Sequence, residues 1–129
     1  MIDGGTFFVI IFGGIVIASL IIIILWHALH YVLCKKYDAL LFREPYFRLT
    51  ELIVYSSWPL SLFRSMGYIV LLGVPSLAKR RRFKCVTLDS SNEYFLVLLC
   101  RIFIVVGVLG ILFLLTMFTW AGVSYIFYD

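Results

Sequence analysis

The sequence predicts an all-α integral membrane protein, with two transmembrane helices flanking an amphipathic, interfacial helical segment on the cytoplasmic side. Three observations predict it. Hydrophobic residues make up 64% of the 129 residues and charged residues 14%, with a mean hydropathy of +1.08. Two long stretches, Gly4–Cys34 and Ile102–Tyr128, contain no Asp, Glu, Lys or Arg. Ten of the eleven Lys and Arg residues lie within residues 35–93, between them. Soluble domains are only about 45–50% apolar, and a chain this short leaves much of its surface wet. The composition therefore excludes a soluble monomer and a disordered tail. Three cysteines at irregular spacing exclude a secreted disulfide framework.

The first span is densest over Phe7–Trp26. About 20 apolar residues cross the ~30 Å hydrocarbon layer as a helix. The β-branched run at Ile21–Ile24 would favour a strand in water. In lipid an isolated strand leaves its backbone polar groups unpaired, so the helix wins. The uncharged stretch outlasts the bilayer by about ten residues, and the helix is expected to run past the interface to about Leu33. A signal peptide is the rival reading. It is disfavoured because Asp3 is the only early charge, the apolar run is too long and no small-residue cleavage site follows.

The second span has its apolar centre at Ile102–Trp120, with Arg101 one turn inside the start. Such an arginine reaches the headgroups along its own stem; the sharper reading pairs it with a partner subunit. The expected organisation is residues 1–34 as the N-terminal transmembrane helix, 35–93 as the basic amphipathic segment and 94–129 as the C-terminal transmembrane helix. Lys and Arg excess marks the cytoplasmic side. Both termini are accordingly expected outside the inner (plasma) membrane and the middle inside. Trp26 and Tyr31 then fall at the inner interface, and Trp120, Tyr125 and Tyr128 at the outer one, where aromatic belts form.

Residues 39–78 are too apolar for a free loop. Pro45 suits the first turn of a helix. Leu49, Leu52, Ile53 and Trp58 share one face of that helix, Arg48 and Glu51 the other, and Pro59 ends or kinks it. Met66–Leu77 is an uncharged run of 12 residues, a length that fits an interfacial or re-entrant segment. A third full span over Leu52–Ala78 is the alternative, disfavoured by the cost of a central Arg64. Lys79, Arg80, Arg81, Arg82 and Lys84 then put five cations in six residues. Such a tract binds anionic phospholipid headgroups at about 1 kcal/mol per charge, with Phe83 placed to insert among them. A short tract against a membrane is a poor nucleic-acid site. Thr87–Glu93 reads as a polar turn, with Ser90 or Ser91 as N-cap and Glu93 in the first turn of the next helix.

Gly14 and Ala18 on the first helix, and Gly107 and Gly110 on the second, are small residues at helical spacing, which lets backbones approach closely in lipid. The plain reading is that the two helices use them on each other. The Phe- and Ile-rich remainder offers more contact area than a hairpin uses, which points to other membrane subunits or to a homo-oligomer.

The best candidate for chemistry is His27, His30 and Cys34. Steps of three and four put them on one helix stripe, which Asp38 continues. These residue types bind metals or haem iron, and the competing reading is two interfacial side chains beside Trp26 and Tyr31. The second span has no His, so a bis-His haem between the two spans is excluded. No nucleophile elbow, phosphate loop, dinucleotide fingerprint or zinc-protease motif is present, so no enzyme is expected. Neither span holds a carboxylate, and no internal repeat relates the halves, which disfavours a transporter.

In layout the chain resembles the universal stress protein B family, through Leu40–Phe42 and the basic tract before the second span; the likeness implies an arrangement and no activity. The expected function is a small non-catalytic accessory subunit of a larger inner-membrane complex, respiratory or secretory. The alternatives are a haem- or metal-bearing redox subunit using His27 and His30, and a free-standing membrane-stress or lipid-organising protein.

Overall fold

The computed structural model describes residues 3–88 and 92–128. Among these the regular structure is entirely helical: α1 (Gly4–Leu41), α2 (Leu49–Val54), α3 (Ser61–Gly73), α4 (Pro75–Arg81) and α5 (Tyr94–Tyr128). Helices α1 and α5 are each long and apolar enough to cross a membrane, and α3 is a shorter apolar helix.

At about 1.5 Å per residue, the 38 residues of α1 span about 57 Å and the 35 of α5 about 52 Å. Both exceed a ~30 Å hydrocarbon layer. The excess length of α1 is larger than expected: it continues eight residues beyond Leu33 to Leu41. No Gly or Pro interrupts it between Gly14 and Pro45, and Pro45 restricts Glu44 to extended backbone. The chain turns over Arg43–Phe47, where the Arg43 carbonyl accepts from the amides of Tyr46 (3.0 Å) and Phe47 (3.2 Å).

The core is built on these overhangs. Its buried members come from the second half of α1 (Leu29, Leu33, Cys34, Tyr37, Leu41), from α3 (Tyr68, Ile69, Leu71, Leu72), from Phe47, Ala78, Phe83 and Val86, and from the start of α5 (Cys100, Phe103). Helix α3 lies against both α1 and α5. Its contact with α5 is close at Gly73. A β-carbon there would stand 2.5 Å from Ile104 Cδ1 and 3.6 Å from the Arg101 amide nitrogen. Phe47 is the aromatic hub, with ring centroids of Phe42, Tyr55, Tyr68 and Phe83 all 5.4–6.4 Å away, the range in which edge-to-face pairs are favourable. The membrane-length halves contrast with this core. Most of Phe7–Ile24 and Val105–Phe127 is exposed.

The middle segment departs from expectation in four places. Pro45 belongs to the turn before α2, not to a helix's first turn, and α2 has only six residues. Residues 55–60 after it form a turn, so Trp58 (71% exposed) lies beyond the helix and not on its face. Met66–Leu77 is not one segment: Val74 and Pro75 divide it into α3 and α4, and α3 contributes its buried face to the core. At 13 residues α3 is about 20 Å long, too short to span. Phe83 does not face outward among the cations; it is 2% exposed, packed on Phe47 and Tyr46. Ser90 and Ser91, the expected caps, lie outside the described residues. Glu93 precedes α5 and its carbonyl accepts the Val97 amide at 3.0 Å.

Candidate functional site

Polar side chains gather where α1 emerges from its membrane-length half. The stripe of His30, Cys34 and Asp38 is present, and α3 answers it with Arg64 and Tyr68. Asp38 Oδ2 lies 3.1 Å from Arg64 Nη2, and its Oδ1 accepts a hydrogen bond from Tyr68 Oη at 2.9 Å. The Arg64 side chain is 13% exposed and its guanidinium lies 4.3 Å from the centroid of the Phe42 ring. Its Nε is buried and has no hydrogen-bond partner among the described residues. Burial, reinforced by the bond to Asp38, holds the Tyr68 phenol well above its usual range. It is therefore a permanently protonated donor.

Next to this cluster, Tyr37 Oη donates to Glu93 Oε2 at 2.7 Å, and Lys36 pairs with the other Glu93 oxygen. Two successive residues of α1 thus latch the start of α5. On the far side, Arg82 Nη2 donates to Glu51 Oε1 at 2.7 Å, with its guanidinium 4.6 Å from the Phe47 ring centroid. The other Glu51 oxygen accepts the Arg48 amide at 2.9 Å. That amide and the Arg82 guanidinium hold the Glu51 carboxyl below its ordinary range.

The expected metal or haem residues separate. Cys34 Sγ and His30 Nδ1 are 3.4 Å apart. His27 Nδ1 instead contacts the Ile23 carbonyl of its own helix at 2.9 Å. Asp38, the carboxylate on the same stripe, is committed to Arg64 and Tyr68. Among the described residues no three His, Cys, Asp or Glu side chains gather closely enough to hold a metal ion. A thiol beside an imidazole is the beginning of a nucleophile–base pair, but such a pair needs a third group to orient the base. The acid on this stripe serves the arginine instead. The arrangement fastens helices together.

The small residues do not meet. A β-carbon on Gly14, Gly107 or Gly110 would meet nothing within 4 Å among the described residues. The two long helices approach at Trp26 and Phe103, whose ring centroids are 6.2 Å apart. Beyond that contact an apolar groove of about 570 Å³ opens, lined by Ala18, Ser19 and Ile22 on one wall and Gly107, Gly110 and Phe113 on the other. A short helix, α3, inserted between the overhangs holds the helices apart at a distance their glycines do not bridge. Of the basic tract, Lys79, Arg80, Arg81 and Lys84 are exposed, whereas Arg82 is drawn inward to Glu51. Arg101 is exposed.

The pairings of Arg64, Glu93 and Arg82 were not assigned from the sequence. The signal for Arg64 was its place in an apolar run: such a charge needs a partner, and Asp38 is the acid at the end of the α1 stripe. No protein family matches the chain, and neither a curated protein nor a solved structure matches it.

Proposed function

We propose that the chain is a non-catalytic accessory subunit of a larger inner-membrane complex, with α1 and α5 crossing the bilayer, both termini outside and the α3–α4 core on the inner leaflet. The observation that carries this reading is the groove between the long helices. Gly107 and Gly110 line it at helical spacing, and a β-carbon on either would meet no described residue within 4 Å. In lipid, small residues matter because they admit a neighbouring backbone, and no hydrophobic force otherwise draws helices together. A partner's transmembrane helix is the natural neighbour. The latches Asp38–Arg64 and Glu93–Lys36/Tyr37 support a scaffolding role, since they fix the spacing of the two walls from below. The exposed Lys79, Arg80, Arg81 and Lys84 support placement against anionic headgroups.

The test is a gentle-detergent pull-down of the full chain with the co-purifying bands identified. Recovery of other membrane subunits is expected. Replacing Gly107 and Gly110 by Leu should abolish that recovery without changing the chain's own melting temperature, because no described residue of the chain occupies the space. Recovery of the chain alone, as a homo-oligomer or a monomer, defeats the subunit reading.

A further inference from the structure

We infer that the trough between α3 and α4 is a binding site for one anionic phospholipid, with an acyl chain in the trough and the phosphate between Arg48 and Arg81. This rests on the reading that the basic side of the chain lies on the inner leaflet.

Two depressions share their boundary. The first, of about 520 Å³, is apolar: Gly67, Val70 and Phe83 are among its lining residues, with Phe63, Met66 and Leu77, and Arg81 and Arg82 belong to its rim. The second, of about 390 Å³, is polar and is lined by Arg48, Glu51 and Tyr46 together with the same two arginines. An apolar compartment therefore adjoins a cationic one.

The charges do not cancel. Glu51 is committed to Arg82 and to the Arg48 amide. Arg48 and Arg81 are exposed, and among the described residues no carboxylate pairs with either side chain. Two guanidiniums at one depression, each a planar fork of donors, match a phosphate.

The adjoining surface selects a lipid over a soluble anion. Phe63 and Leu77, which line the trough, are 57% and 52% exposed. Met66 lines both the trough and the groove between the long helices, so the trough is continuous with the surface that faces lipid. A free phosphate would use the arginines and leave this apolar surface in water.

The test is a titration of the full chain in phosphatidylcholine mixed micelles with phosphatidylglycerol, read by native mass spectrometry. One phosphatidylglycerol per chain is expected, in preference to phosphatidylcholine. Arg81→Gln and Arg48→Gln should each weaken that preference about fivefold. Arg80→Gln, which removes an exposed cation lining neither depression, should leave it unchanged. Leu77→Asp puts a repelling charge at the trough without touching the buried core and should remove retention. Gly67→Phe, checked for an unchanged melting temperature, should fill the trough and do the same. Equal losses for Arg80→Gln and Arg81→Gln would overturn the site and leave the leaflet placement standing. Absence of any preference for phosphatidylglycerol would sink both. Inorganic phosphate binding as tightly as the lipid, or retention surviving Leu77→Asp, would remove the acyl chain from the account.

Discussion

Replacing Asp38 with Ala takes the acceptor from two buried donors at once. The Tyr68 residue is fully buried, and a buried hydroxyl left without a partner costs about 1–3 kcal/mol. Arg64 keeps its charge at 13% side-chain exposure, with Nε already unpaired. Breaking a fully buried pair costs about 3–5 kcal/mol, but Asp38 is 31% exposed, so water reaches the site and about half of that is appropriate. The two losses share one carboxylate and do not add fully. We expect about 3 kcal/mol for Asp38→Ala. Arg64→Met keeps an apolar stem on Phe42 and leaves Asp38 hydrated and still bonded to Tyr68, for about 1 kcal/mol. The asymmetry is the decisive feature: loss of the more exposed partner hurts more. Reversible unfolding by denaturing detergent in mixed micelles, followed by tryptophan fluorescence, measures both. If Arg64→Met costs as much as Asp38→Ala, the reading that the arginine is stranded by loss of its acid is wrong.

The Glu51 carboxyl lies below the ordinary value of 4.5 in the folded chain. Protons therefore favour the unfolded state, and the stability Glu51 contributes is complete above 4.5 and lost as pH falls through the depressed folded value; Glu51→Gln should flatten that acid limb in melting curves. Gly73→Val should cost about 1–3 kcal/mol by overpacking against Ile104 and the α5 backbone, whereas Gly67→Ala, whose β-carbon meets Phe83 at 3.8 Å, should not destabilise; equal melting temperatures for the two would contradict the close approach at Gly73. Cys85 is exposed while Cys34 and Cys100 are buried, so a thiol reagent should modify one cysteine of the three in the native chain. In sealed vesicles an impermeant reagent should reach Cys85 only when the inner face is outward, and labelling from the outer face would reverse the topology proposed above.

Two long apolar helices were legible from charge-free runs alone, because hydropathy over 20 residues is a local property. The stripe His30–Cys34–Asp38 was legible as spacing, but its chemistry was not. His27 shares the stripe's register, yet its ring bonds back to its own helix, and only the arrival of α3 showed that Asp38 serves Arg64. The basic tract reads as five equal cations along the chain; a partner 31 residues away takes one of them, Arg82, and the aromatic hub takes Phe83. The small residues were likewise visible but their use was not. Helix spacing allows Gly14, Gly107 and Gly110 to meet, and the wedge between the overhangs keeps them open. Periodicity along a chain determines which faces are apolar or small. Which face meets which depends on contacts between residues far apart in sequence, and those exist only once the helices have packed.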